Sequence, residues 1–290
     1  MSIEPTGPAV QEEELYCYGH PKTPTRLRCS RCDRPICGRC AIPASVGQHC
    51  PECVAAARKS TPKVRTVLAA TAPATRAILI LTAIVFVGQL FSPQVLDRLA
   101  MYPPFIANGE WWRLLTPMLV HAGALHFMMN AYVFLMIGPA VEQRYGPARF
   151  TFIYVVAGFT GAVASFALSG ERVVGVGASG AILGVLGAFM ADLYQRRGTG
   201  NVEMQIKGMW RWLAYIFGIG LAFQILGQLG VGILSIDNYA HAGGLIGGAA
   251  VGWALGTERK AITARGVAIS VGVILVFAGI AAARIAVLKG

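Results

Sequence analysis

The chain has 290 residues, 55% of them hydrophobic and 13% charged, about half the ~25% charged share of an average soluble domain. That balance excludes an ordinary water-soluble globule and points to a chain that buries much of its apolar surface in lipid. The net charge of +11 would suit nucleic acid, but the basic residues sit in loops between apolar runs, where they set membrane topology. No nucleic-acid partner is expected.

Residues 1–54 come first. They hold all seven cysteines and no apolar run, so a signal peptide is not expected. The spacing is Cys17-x2-His20, Cys29-x2-Cys32, Cys37-x2-Cys40 and Cys50-x2-Cys53. Four knuckles give eight ligands, enough to fill two tetrahedral zinc sites of the closed, structural kind. Disulfides are the competing use; a cytoplasmic location disfavours them, and the histidine favours metal. His49, beside Cys50, is an alternative ligand at that position, and spacing leaves open whether the knuckles pair sequentially or interleave. No coordination position is left free, so no zinc is expected in catalysis. A segment this short draws most of its stability from the metal. Arg26, Arg28, Arg31, Arg34 and Arg39 form either a contact for acidic lipid or protein or a solvated basic face. Residues 55–75 are rich in Ala, Thr, Lys, Arg and Pro, and Pro62 and Pro73 discourage a continuous helix. They read as a linker.

Residues 76–290 form a membrane domain. Seven apolar runs cover about 76–92, 114–138, 148–168, 173–193, 211–231, 237–256 and 266–288, each long enough to cross a ~30 Å hydrocarbon core. The fifth is diluted by Gly218, Gly220, Gln224 and Gly227. Basic residues gather before the first run (Arg58, Lys59, Lys63, Arg65, Arg76) and after the second, fourth and sixth (Arg144 and Arg149; Arg196, Arg197, Lys207 and Arg211; Arg259, Lys260 and Arg265). Under the positive-inside rule the N-terminus is cytoplasmic and, with seven spans, the C-terminus extracytoplasmic. The expected fold is an all-α, polytopic membrane protein of the cell membrane with a small N-terminal zinc-binding domain.

Within the bundle, Ser179 stands in Gly175-Val176-Gly177-Ala178-Ser179-Gly180 and a lone histidine in Tyr239-Ala240-His241-Ala242-Gly243-Gly244. Polar and ionisable groups at membrane depth mark function by default, and a serine with a histidine on another helix is the minimum kit for nucleophilic catalysis. His126 and Asn130 lie at i and i+4, on one helix face, with His121 five residues earlier. An amide and an imidazole there would serve a developing oxyanion. The topology places Ser179, His241 and His126 within ~20 Å of the outer surface, where a water-filled cavity could deliver the hydrolytic water. Gly244-x3-Gly248 and Gly180, Gly184 and Gly187 allow close approach of the fourth and sixth spans.

These motifs resemble the rhomboid intramembrane serine proteases. The likeness rests on Gly177-Ala178-Ser179-Gly180, Ala240-His241 with Gly244 and Gly248, His121, His126 and Asn130, Trp112-Arg113, and Gly138-x3-Glu142-x3-Gly146. The resemblance covers about residues 76–256. It implies a six-helix core extended by a seventh C-terminal span, with Ser179 as nucleophile and His241 as general base. It further implies an oxyanion site of His126, Asn130 and the Ser179 N–H, a structural loop at Trp112-Arg113 in the outer leaflet, and a helix-joining role for Glu142. The substrates implied are transmembrane segments of other proteins within the bilayer. One departure stands out. Relatives often place an aromatic residue one turn after the serine, against the base; here that position is Leu183.

The N-terminal pattern resembles a B-box-type zinc finger, which implies interleaved pairing: Cys17, His20, Cys37 and Cys40 on one zinc, and Cys29, Cys32, Cys50 and Cys53 on the other. Such a finger would recruit a cytoplasmic partner or regulate the enzyme. Two other functions compete. A catalytically inactive rhomboid-like protein would bind clients without needing all four polar residues. A transporter would show paired half-repeats and an ion-coupling acid, and neither is read within the spans.

Overall fold

The computed structural model describes residues 14–44, 46–60, 72–198, 201–229, 236–257 and 260–290. Contacts divide the chain into two units, Met1–Arg65 and Thr66–Gly290. In the first, β1 (Tyr16–Cys17) pairs antiparallel with β2 (His20–Pro24), and β3 (Ile42–Pro43) with β4 (Gln48–His49). Helix α1 (Pro51–Ser60) follows. The buried core is five cysteines and Ile36, far too little apolar area to offset the entropy of ordering the backbone. Helix α1 runs through the boundary expected at residue 54. Of the expected linker, residues 61–71, Pro62 included, lie outside the described residues, as do Lys63, Arg65 and Arg259.

The second unit is built on seven helices of 17–27 residues: α2 (Pro73–Phe91), α5 (Ala124–Tyr145), α6 (Pro147–Leu168), α7 (Ser179–Gln195), α8 (Val202–Gln228), α9 (Asn238–Leu255) and α10 (Ala264–Lys289). Two short helices, α3 (Pro93–Leu99) and α4 (Pro103–Ala107), lead from α2 into a pair of 3-10 turns at Trp111–Leu114 and Thr116–Leu119. Prolines open α2, α3, α4 and α6. At that position the missing N–H has no intrahelical partner to lose, so Pro73 starts a helix where a break was expected.

Among the described residues five helices, α2, α5, α6, α8 and α10, are long and apolar enough to cross a membrane. Helices α7 and α9 are the innermost pair, packed chiefly on each other and on α6. Helix α7 is buried without interruption from Gly180 to Ala188. Helix α7 is enclosed by its neighbours, whereas α9 leaves Tyr239, Ile246 and Trp253 exposed, and five of the 18 residues of α9 are glycine. The glycines set the spacing. A Cβ on Gly244 would meet the Gly180 carbonyl, and one on Gly248 the Gly184 carbonyl, so both must be glycine for the backbones to touch.

Beyond the five span-length helices among the described residues, where seven were expected, the structure departs from the sequence expectation at three further places in the bundle. The run expected as a helix over 114–138 divides into 3-10 turns and a loop, and the helix begins only at Ala124 and extends to Tyr145. Gly123, at φ +123°, sits in a region closed to other residues and separates the two, which leaves His121 off the helix. Residues 173–177, expected as the start of the fourth span, are non-helical, Ala178 turns the chain, and α7 starts at Ser179 itself. Finally, the spans do contain acids. Asp192, in the last turns of α7 and 5% exposed, pairs with Arg144 at 2.7 Å and Arg196 at 2.9 Å. Glu142, 2% exposed on α5, accepts hydrogen bonds from Ala74 N, Thr75 N and Thr75 Oγ1 at 2.7–2.9 Å. The carboxylate thereby satisfies the orphan donors that open α2. Both acids are fully engaged in joining helices.

Candidate active site and metal centres

Everything around Ser179 is aimed by its backbone. Met101 and Gly175 exchange N–H···O bonds at 2.9 Å, and Gly177 N donates to Pro117 O at 2.9 Å. These bonds hold residues 175–177 extended before the chain turns into α7. Gly177 has φ +117°, and a Cβ there would meet Cε1 and Nε2 of His126 at 2.7 and 2.9 Å. Glycine is required twice over. Ser179 is the first residue of α7, and the first intrahelical bond goes from Ile182 N to Ala178 O. The N–H groups of Ser179, Gly180 and Ala181 therefore have no acceptor in the preceding turn, a site favourable to negative charge.

His241 reaches the serine from α9. Its Nε2 lies 2.8 Å from Ser179 Oγ, and the residue is 6% exposed. Nδ1 is buried and has no hydrogen-bond partner among the described residues, so no carboxylate among them backs the imidazole through a hydrogen bond. The turn that carries it is anchored by Asp237. Its Oδ1 accepts from Ala240 N at 2.9 Å, its Oδ2 accepts from Ser165 Oγ at 2.5 Å, and its carbonyl accepts from His241 N at 3.1 Å. Beside the pair lies a cavity of about 40 Å³, with Met101, Gly175, Ser165, Ser179 and Asp237 in its wall. That is room for a water or two beside the nucleophile.

The other polar residues divide by role. His126 Nδ1 accepts from Ala122 N at 3.3 Å, so in the neutral ring the proton is on Nε2, the atom packed against Gly177. Asn130, 8% exposed, donates one amide hydrogen to His126 O at 2.9 Å and retains a second. His121 instead braces the chain before the serine: its Nε2 lies 3.5 Å from Ala178 N. Gln89 on α2 fixes His121 in turn, donating to its carbonyl at 2.5 Å and accepting from its N–H at 3.1 Å. Trp111 and Trp112 are 66% and 50% exposed, while Arg113 is 3% exposed. Arg113 ties the loop together through Glu110 Oε2 at 2.7 Å and the carbonyls of Asp97 and Ala100.

Asp237, Gln89 and Phe217 were not singled out from the sequence. Asp237 had a readable signal, an acceptor side chain just before a helix. Gln89 and Phe217 (described below) act through tertiary contacts that carry no local pattern.

In the N-terminal unit the ligand atoms of Cys17, His20, Cys37 and Cys40 converge within 4.8 Å of one another, and so do those of Cys29, Cys32, Cys50 and Cys53. The chain makes the interleaved sets, and His49 belongs to neither. All seven cysteines are free of disulfides. Cys32 Sγ lies 3.8 Å from Cys50 Sγ, and His20 Nδ1 lies 3.4 Å from the sulfurs of Cys37 and Cys40. Ligands at the corners of a tetrahedron with ~2.3 Å metal–sulfur bonds are separated by about 3.8 Å, so the donors fit a tetrahedral ion. Burial raises the Cys17 thiol, but the N–H groups of Cys37 and Gly19 and the His20 ring outweigh it and bring it down to about 6. Burial and the neighbouring sulfurs of Cys17 and Cys37 push Cys40 up to about 11.

A family model described as the Rhomboid domain matches residues 108–258. The rhomboid protease GluP of Bacillus subtilis (strain 168) is 41% identical over 154 residues, 53% of this chain and 28% of that protein. RHOMBOID-like protein 6, mitochondrial, of Arabidopsis thaliana is 35% identical over 151 residues, 52% of this chain and 45% of the relative. The putative rhomboid protease YdcA of Bacillus subtilis (strain 168) is 40% identical over 94 residues, 32% of this chain and 47% of that one. The chain thus spans less than half the length of these relatives. The matched segment runs from the Trp112 loop through α9 and takes in His121, His126, Asn130, Ser179, Asp237 and His241. By its domain, its helical architecture and its relatives, this multi-pass membrane chain belongs to the rhomboid family.

Proposed function

We propose that the chain is an intramembrane serine endopeptidase that cleaves transmembrane segments of other proteins with a Ser179–His241 dyad. The observation that carries this reading is the 2.8 Å approach of His241 Nε2 to Ser179 Oγ at the head of a buried helix. As Ser179 Oγ attacks the scissile carbonyl carbon, His241 Nε2 takes its proton. The carbonyl oxygen becomes the oxyanion, held by the Ser179 N–H, His126 Nε2–H and the second amide hydrogen of Asn130. Collapse breaks the C–N bond, and His241 returns the proton to the leaving amine. Water from the adjoining cavity then gives a proton to His241 and its oxygen to the acyl carbon, and Ser179 recovers its proton as the acid leaves.

The remaining assignments belong to the same proposal. Residues 1–54 form a finger holding two structural zinc ions on the two tetrahedral donor sets, residues 55–75 a linker and residues 76–290 the protease. The finger, with its five arginines, serves a cytoplasmic protein partner. Basic loops favour a cytoplasmic N-terminus and an extracytoplasmic C-terminus, which sets the exposed indoles of Trp111 and Trp112 at the outer interface. The test is cleavage of a model transmembrane substrate in liposomes. Wild type should cut it, and Ser179→Ala and His241→Ala should each be inert with unchanged thermal stability. Cleavage surviving in Ser179→Ala overturns the assignment.

A further inference from the structure

His241 poses a positioning problem that the dyad alone does not solve. Its Nδ1 has no hydrogen-bond partner among the described residues, so no acceptor among them fixes the rotation of the ring. The position one turn after the serine, where the family resemblance leads one to expect an aromatic neighbour, is Leu183. Yet the ring does have one. Phe217, on α8, meets it edge to face, with centroids 6.2 Å apart and planes at 87°. That geometry is the favoured one for an aromatic pair.

Phe217 is itself fastened at this level. Asn238, at the start of α9, directs Nδ2 toward the Phe217 carbonyl at 3.4 Å. The Asn238 side chain fills the space left by Gly220, where a Cβ would lie 2.8 Å from Asn238 Cγ. Only 11% of the membrane-length stretch of α8 is buried, against 56% for that of α6. The helix is therefore mostly bare, and Phe217 is on one of the few parts of it packed inward, in a cluster with Leu183, Leu186, Leu213 and Leu245.

We propose that Phe217 is the positioning residue for the general base, supplying from α8 the aromatic face that Leu183 does not supply from α7. This rests on the Ser179–His241 reading above. The ring keeps Nε2 directed at Ser179 Oγ without touching substrate.

The test is the rate of fluorophosphonate labelling, with kcat and KM for a transmembrane substrate measured alongside. Phe217→Leu should slow labelling and lower kcat by about 3–10-fold, the scale of one aromatic pair, with KM unchanged. Phe217→Trp should retain most of the rate. The double variant Phe217→Leu/Leu183→Phe keeps the same side-chain composition, moves the ring to α7, and should restore labelling. Because the double variant conserves volume, it keeps the test decisive if Phe217→Leu proves unstable. Faster labelling in Phe217→Leu would mean the ring only screens access. A change confined to KM, or a double variant no better than the single, would also overturn the brace. Labelling abolished by Ser179→Ala but indifferent to Phe217→Leu refutes the brace alone; labelling that survives Ser179→Ala refutes the dyad beneath it.

Discussion

Replacing Gly244 with alanine adds one methyl group at the point where the two catalytic helices touch. The new Cβ would lie 2.7 Å from the Gly180 carbonyl carbon and 3.1 Å from Gly180 Cα, and nearer still to the carbonyl oxygen. All three are backbone atoms, so no rotamer change relieves the clash, and α7 and α9 must separate by about 1 Å to reach ordinary van der Waals contact. Overpacking of this kind costs about 1–3 kcal/mol. The functional effect should be larger, because Ser179 and Gly180 are adjacent on α7 and Gly244 lies one turn beyond His241. Opening the 2.8 Å Ser179–His241 contact by even part of that shift removes the hydrogen bond, and a misplacement of ~1 Å can cost about 10²-fold. The control is Gly272→Ala on α10, where a Cβ meets nothing within 4 Å. Fluorophosphonate labelling rates and thermal unfolding in detergent, measured for both variants, decide the matter. Gly244→Ala should be slowed by about 10²-fold and destabilised, with Gly272→Ala near wild type. A Gly244→Ala variant that labels at the wild-type rate would refute the tight contact as the source of catalytic alignment.

Asn130→Ala should reduce turnover by about 10–1,000-fold, the range for one oxyanion donor, with little change in substrate binding; collapse of binding with intact turnover would make Asn130 a substrate contact instead. Glu142→Ala strips two backbone N–H groups and the Thr75 hydroxyl of their acceptor and should destabilise the bundle by about 1–3 kcal/mol or more. Thermal unfolding reads it, and an unchanged midpoint would show that water replaces the carboxylate. Elemental analysis should find two zinc ions per chain, and residues 1–54 expressed alone should unfold on chelation. Labelling of Ser179 in the full chain should persist after chelation, since all eight ligands lie in the N-terminal unit; one ion per chain, or lost labelling, would contradict this.

Much of this architecture could be read from residue order, and the departures have physical causes. Apolar runs overlap all seven long helices, although among the described residues only five of these are long and apolar enough to cross a bilayer. The same criterion misread 114–122, whose apolarity serves a loop packed at the head of α7. Apolar content reports burial, and helicity there is decided by Gly123 and Pro117. The metal ligands were legible as pairs, since knuckle spacing is local, while their interleaving is a tertiary fact. Ser179 and His241 stood out because a hydroxyl and an imidazole are conspicuous among Ala, Gly and Leu. Asp192 was overlooked in the sequence although it lies within an expected span; its two arginine partners, Arg144 and Arg196, make it a structural acid at the end of α7 opposite Ser179. The contacts that steady the base and the loop before the serine, Phe217 on His241 and Gln89 on His121, join residues 24 and 32 apart. No periodicity encodes such a pair.

The most direct measurement is mass spectrometry of the full-length protein after reaction with a fluorophosphonate in detergent. Wild type should gain one phosphonyl group, mapped to the peptide bearing Ser179. Ser179→Ala should gain none, and His241→Ala should be labelled far more slowly. No adduct on wild type, or an adduct that persists in Ser179→Ala, would contradict a serine nucleophile at the head of α7.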